Sequence, residues 1–230
     1  MVKKNLVTMA ITSLFARLSF GMLNREPMFH WSKGIRSDSV LTAINCGVDK
    51  PFTDENGLTY SADFGFSGGV TSQTDDGQWI MSNIDVYKTE RWSSEDFFYS
   101  IPFSAASGSP QTLIIKLSEA YFSFAGGKQF NIAIGDYNVA KNLDIYDTMK
   151  GSRMPLDLFI EIEPRDANSI YIDKKVVRGA LTENGELKVE FKSGKADNPK
   201  VNALILVKGA ADEVTHQSNY KAFRRFLTDL

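Results

Sequence analysis

The stretch Phe130-Asn131-Ile132-Ala133-Ile134-Gly135-Asp136-Tyr137-Asn138-Val139 reads as a β-hairpin. Before the turn, apolar residues alternate with small or polar ones, the two-residue period of a strand with one face in a core. Gly135-Asp136 supplies the turn, because glycine reaches the positive φ that two-residue hairpin loops demand. Working outward, β-prone runs predict strands at residues 40–45, 97–103, 112–117, 156–162, 170–177, 187–191 and 201–207. Residues 49–78 are rich in Gly, Asp, Ser and Thr and read as loops around one brief strand near 58–64. Only residues 212–227 read as helix, with Phe223, Phe226 and Leu227 as its apolar stripe. Short strands with a turn every ten residues or so predict an all-β fold, a β-sandwich or jelly roll, with a short C-terminal helix or tail. The expected division is an N-terminal extension or signal segment at 1–37, the folded domain at 38–210 and the tail at 211–230.

The bulk composition narrows the function. The chain has 230 residues, 43% of them hydrophobic and 12% aromatic, enough for one sizeable sandwich core. Lys and Arg total 26 against 28 Asp and Glu, so no basic field exists to hold nucleic acid. Cys46 is the only cysteine, which excludes an intrachain disulfide and a cysteine-based zinc site. No Asn-x-Ser/Thr acceptor occurs. Lys3-Lys4 ahead of the apolar run 6–16 fits either a signal peptide or an amphipathic extension. No run approaches the roughly 20 apolar residues of a membrane span.

Catalytic motifs are scarce. His30 and His216 lie outside the strand-rich region, so a triad would need one of them folded back into it. No HExxH, glycine-rich phosphate cradle or EF-hand loop is present, and no metal or cofactor is expected. Glu90, Glu95, Asp96, Glu119, Asp144 and Asp147 could in principle pair as acid and base on a glycoside, but sequence cannot measure their separation. Aromatics beside loop carboxylates say more. Trp92 sits in Thr89-Glu90-Arg91-Trp92, Tyr121-Phe122 precede Gly126-Gly127, and Asp197-Asn198-Pro199 forms a loop. A sugar has apolar C–H faces and a polar rim, so a site for it needs flat rings and convergent hydrogen-bonding groups.

At these segments the chain resembles the malectin family of di-glucose-binding domains. The matching stretches are Ala43-Ile44-Asn45-Cys46-Gly47, Tyr87-Lys88-Thr89-Glu90-Arg91-Trp92, Glu119-Ala120-Tyr121-Phe122, Phe130-Asn131-Ile132, Lys141-Asn142-Leu143-Asp144-Ile145-Tyr146-Asp147 and Asp197-Asn198-Pro199-Lys200-Val201-Asn202-Ala203-Leu204. The resemblance implies a sandwich like the carbohydrate-binding modules of glycosidases, with ligand held by loops at one end. It implies a sugar site made by Trp92 (a family tyrosine position), Tyr121, Phe122 and Asp197. A further family tyrosine falls on Asp76, where a charge replaces a stacking face and puts the preference for glucosylated glycan ends in doubt.

Three functions compete. The leading one is a lectin that binds a small glucose-containing oligosaccharide or glycoprotein glycan without catalysis. The alternative is a protein-interaction or adaptor module of the same fold with no working sugar site, and the third is a glycoside hydrolase. By the resemblance the domain works in the endoplasmic reticulum lumen or outside the cell; without a signal segment it is cytoplasmic.

Overall fold

The computed structural model describes residues 35, 37–74, 79, 85–104, 108–166 and 168–214. The signal-like run 6–16, both histidines, Asp76 and the helix stripe at 223–227 lie outside them.

A single 3-10 turn, Ser37–Ser39, leads into β1 (Val40–Asn45). Then come β2 (Phe52–Thr53), β3 (Thr59–Tyr60), β4 (Val70–Gln73), a one-turn α1 (Asp85–Lys88), β5 (Thr89–Trp92) and β6 (Phe97–Ile101). The middle of the chain forms β7 (Gln111–Ser118), β8 (Gln129–Ile134), β9 (Tyr137–Leu143), α2 (Ile145–Met149) and β10 (Pro155–Asp166). It continues with β11 (Ser169–Ile172), β12 (Lys175–Arg178), β13 (Leu187–Ala196), β14 (Lys200–Val201), β15 (Ala203–Lys208) and α3 (Ala211–Val214). Six strands make one sheet in the order β1-β15-β7-β10-β11-β12, and four make another, β6-β13-β8-β9. Short β14, β5 and β4 form a third sheet, and β2 pairs with β3. All of these ladders are antiparallel, so the expected all-β sandwich is what the chain forms.

Alternation builds the core between the two large sheets. Leu113, Ile115 and Leu117 of β7, Leu156, Leu158, Ile160 and Ile162 of β10, and Leu204 and Leu206 of β15 all point inward. They meet Phe97, Tyr99 and Ile101 of β6, Phe130, Ile132 and Ile134 of β8, and Leu187, Val189 and Phe191 of β13. Each such side chain contributes about 1.5–3 kcal/mol through burial. The rings interlock, with Phe97 stacked on Phe191 and Tyr99 edge-on to both. The quoted hairpin is present as β8 and β9, with Ile134 paired to Tyr137 across Gly135-Asp136. Gly135 has φ 55°, and a Cβ there would lie 2.1 Å from the Arg178 carbonyl oxygen, so glycine is required on two counts.

Four expectations need correction. Residues 49–78 hold three short strands, β2, β3 and β4, where one near 58–64 was expected. Residues 170–177 are not one strand: Asp173 and Lys174, at φ 51° and 62°, turn the chain between β11 and β12. Residues 201–207 are not one strand either. Asn202 interrupts them and hands the chain from the small sheet to the large one. Its buried side chain accepts from Ser118 N and donates to the Tyr87 and Thr89 carbonyls. Helix is not confined to the C-terminus, since α1 and α2 precede it; α2 is capped by Asp144, which accepts from Asp147 N.

Both faces of β7 are buried, which is why its eight residues lack a polar stripe on one side. The face turned away from the sandwich core carries Lys116. Its ammonium lies 2.8 Å from Asp157 and 2.9 Å from the Tyr87 hydroxyl, which itself donates to Asp157. Burial, reinforced by Asp157, pushes the Tyr87 phenol far above its ordinary range. Cys46 is fully buried and free; burial, with the Asp63 carboxylate second, drives its thiol up and keeps it protonated.

Candidate functional site

The loop from β7 to β8 carries the aromatic motif. Glu119, only 2% exposed, shapes it. One carboxylate oxygen accepts from the backbone N–H of both Tyr121 (2.7 Å) and Phe122 (2.9 Å), drawing the chain into a tight turn. The Glu119 carbonyl accepts from Arg153 N at 2.6 Å, tying the turn to the segment before β10. Held this way, Tyr121 stands 85% exposed, edge-on to Phe122 at 4.9 Å between centroids. Phe122 is in turn edge-on to Phe124 at 5.5 Å, and Phe124 is itself 57% exposed. Phe122 lies against the backbone of Gly127, where a Cβ would come within 2.6 Å of its ring. Any side chain at 127 would displace the ring.

Asp197 reaches this cluster from the β13–β14 loop. Its left-handed backbone (φ 53°), which aspartate tolerates better than most residues, turns the chain back into β14. Lys128, almost fully buried, forms an ion pair with Asp197, donates to the Asn198 carbonyl at 3.2 Å and lies 5.8 Å from the Phe122 ring centre. Phe122, with Tyr121 set against it, and Asp197 therefore flank one lysine that the sequence reading passed over.

Trp92 is connected through the small sheet. It pairs with Lys200 of β14 on one side and with Val70 of β4 on the other, and Ser93 N donates to the Pro199 carbonyl at 3.3 Å. Alternation along β5 puts Glu90 and Trp92 on the half-open face and Thr89 and Arg91 on the buried one. Lys200, 1% exposed, bonds Glu90 and the Ser118 carbonyl, joining this face to the root of the aromatic loop. On the buried face Arg91 pairs with Asp63 at 2.8 Å and lies 3.4 Å over the Phe66 ring. Among the described residues, ring contacts run Tyr121–Phe122–Phe124 and do not include Trp92. Asp76 lies outside the described residues.

The sequence reading missed Phe124, Lys128, Lys200 and the clamping role of Glu119. Phe124 was visible as the next-but-one aromatic after Tyr121-Phe122. The lysines carried no signal, because a buried lysine and a solvated one look alike in a sequence. Three of the other candidate carboxylates have local duties: Asp96 accepts from Ser193 N, Asp144 caps α2 and binds Gly126 N, and Asp147 pairs with Lys150.

Comparison with known proteins follows the same segments. The malectin-domain profile matches residues 40–204. Malectin-A of Xenopus laevis is 35% identical over 185 residues, covering 77% of this chain and 63% of its own length. Malectin of Homo sapiens is 33% identical over 184 residues, covering 77% and 59%. The match thus spans about three fifths of these curated relatives. Among solved structures, the ANXUR1 extracellular domain of Arabidopsis thaliana superposes with a TM-score of 0.55 at 17% identity, over 76% of this chain and 49% of that one. Bacteroides uniformis beta-glucuronidase gives 0.53 at 16%, over 73% and 18%. These two likenesses concern the fold alone. The profile match covers well over half of the chain: it belongs to the malectin family.

Proposed function

We propose that the domain is a lectin that binds a small glucose-containing oligosaccharide at the Tyr121–Phe122–Asp197 cluster, with Trp92 at its flank and no bond made or broken. The observation that carries this is Tyr121. A ring 85% exposed would ordinarily be mobile, yet here its backbone is clamped by a buried carboxylate and its edge is fixed on Phe122. That is a preorganised apolar platform for the C–H face of a sugar. Asp197 supplies acceptors for hydroxyls at its rim. Lys128 holds that carboxylate in place, so little ordering cost falls on binding. Specificity arises because a desolvated hydroxyl or carboxylate left unpaired costs about 1–3 kcal/mol.

A glycan-array screen of the purified chain beside Tyr121→Ala and Asp197→Ala tests this. The expected result is binding to gluco-oligosaccharides that both substitutions abolish. A folded wild type that binds no glycan sinks the reading and leaves a protein-interaction module, for which Phe64 and Phe66, each exposed by about 40%, would be the surface to examine. Membership of the malectin family supports action on glycans of the endoplasmic reticulum lumen or the secretory route. No described helix is long and apolar enough to cross a membrane.

A further inference from the structure

A second feature adjoins the loop that carries the aromatic cluster. A groove of about 740 Å³ runs along β9, within the roughly 300–1,000 Å³ span of small-ligand clefts. It begins where the cluster ends. Gly126, two residues beyond Phe124, donates its N–H to Asp144, and Asp144 lines the groove. Gln129, which also lines it, follows Lys128 directly and pairs across the sheet with Ala196, the neighbour of Asp197. Phe124 therefore sits on the loop between the two, with an exposed apolar ring that no described core contact requires.

The lining chemistry selects among occupants. Asp136, Asp144 and Asp147 are matched by Lys141, Lys175 and Lys195, so the groove has no net preference for an anionic or a cationic ligand. Gln129, Asn138 and Asn142 add carboxamides, which both donate and accept. Alternating donors and acceptors with no net charge suit a neutral polyol. A peptide is the other candidate, because β9 is the edge of its sheet. That edge is blunted against strand addition. Its pairing with β8 shifts register twice, Asn142 is left-handed at φ 46°, the Asn142 N–H is already taken by Asn131, and Lys141 is exposed.

We propose that the β9 groove is an extension of the sugar site, entered past Phe124, that holds the inner residues of a neutral oligosaccharide whose end lies on Tyr121 and Phe122. The proposal rests on the lectin reading above. It makes the preferred ligand longer than a disaccharide, with Phe124 as the ring that greets the next residue along.

Calorimetric titration of the full chain tests it, using the shortest gluco-oligosaccharide that binds and its homologues two and four residues longer. Wild type is expected to bind the longer sugars about tenfold more tightly, the worth of one or two net hydrogen bonds. The double variant Asn138→Ala/Lys175→Ala is expected to erase that gain, with the short sugar's affinity and the thermal melt unchanged. The groove proposal is overturned alone if the short sugar binds but length brings nothing, the result a peptide groove would also give. It is overturned equally if the gain survives the double variant, or if that variant weakens short and long sugars alike. If no sugar of any length binds, the lectin reading fails and the extension with it.

Discussion

The two faces of β7 are both buried and are built on opposite chemistry. Toward the sandwich, Leu113, Ile115 and Leu117 join the apolar core. On the other side, Lys116 bonds Asp157 and Tyr87, Ser118 donates its hydroxyl to the Tyr87 carbonyl and its backbone N–H to the Asn202 side chain, and Thr112 donates to the Gly209 carbonyl. The apolar face is non-directional: it holds two sheets together and tolerates repacking. The polar face is directional. It fixes where α1, β5 and the Asn202 corner lie, and β5 carries Trp92 while the corner follows Asp197. Sandwich and candidate site are thus stabilised by different forces acting on one strand.

Breaking the polar face is expected to cost most. Lys116→Met leaves Asp157 buried without its cation and should destabilise by about 3–5 kcal/mol in denaturant titration. The double variant Lys116→Met/Asp157→Leu should recover most of that, because removing both charges removes the penalty. A double variant as unstable as the single one would mean that the pair's geometry, not its charge balance, matters. On the apolar face, Ile115→Ala is expected to cost about 2–5 kcal/mol, with no comparable rescue from a single partner change.

Alkaline pH probes the polar face without mutation. The Tyr87 phenol is raised mainly by burial and then by Asp157, and Tyr60 is raised by burial with Asp54 second. A raised folded value contributes stability that is whole below the unfolded tyrosine value of about 10 and is lost as pH climbs above it. Chemical denaturation across that range should show stability steady up to about pH 10 and falling beyond it. Tyr87→Phe should start lower and fall less steeply. An identical slope in the variant would remove Tyr87 from the account.

The smallest effect is expected in the aromatic loop. Glu119→Ala removes the acceptor for two backbone N–H groups and should cost about 1–3 kcal/mol at most. Sugar binding should suffer far more than the melting temperature, and Glu119→Gln, which keeps one carbonyl acceptor, should restore it.

How far the sequence could be read follows from the same contrast. The apolar face was legible because alternation is a direct imprint of a one-sided core, and β1, β6, β8 and β13 were found where they lie. The hairpin β8–β9 announced itself through Gly135. The β11–β12 turn did not, since Asp173 and Lys174 adopt left-handed backbones without a glycine between two apolar runs. Asn202 hid in an apolar run because what ends the strand is its side chain's partners, which are up to 115 residues away. In the candidate site, residue type and family resemblance pointed to Tyr121, Phe122 and Asp197, which the fold brings to neighbouring loops. Glu119, Lys128 and Lys200 were not, because the burial that defines each role depends on tertiary packing.

One pairing also bears on how the chain is made. β15 lies between β1 and β7, so Ile44, bridged to Ser61 on its other side, waits for Leu204, about 160 residues later, to join the large sheet. At roughly 5–20 residues per second, a ribosome takes on the order of ten seconds or more to deliver it. Throughout that interval one flank of β1 and one flank of β7 are unpaired strand edges on a nascent chain. Such a domain cannot condense from its N-terminus as it emerges. It closes only when β15 arrives, which makes its yield in a cell depend on protection during synthesis as much as on the stability of the finished sandwich.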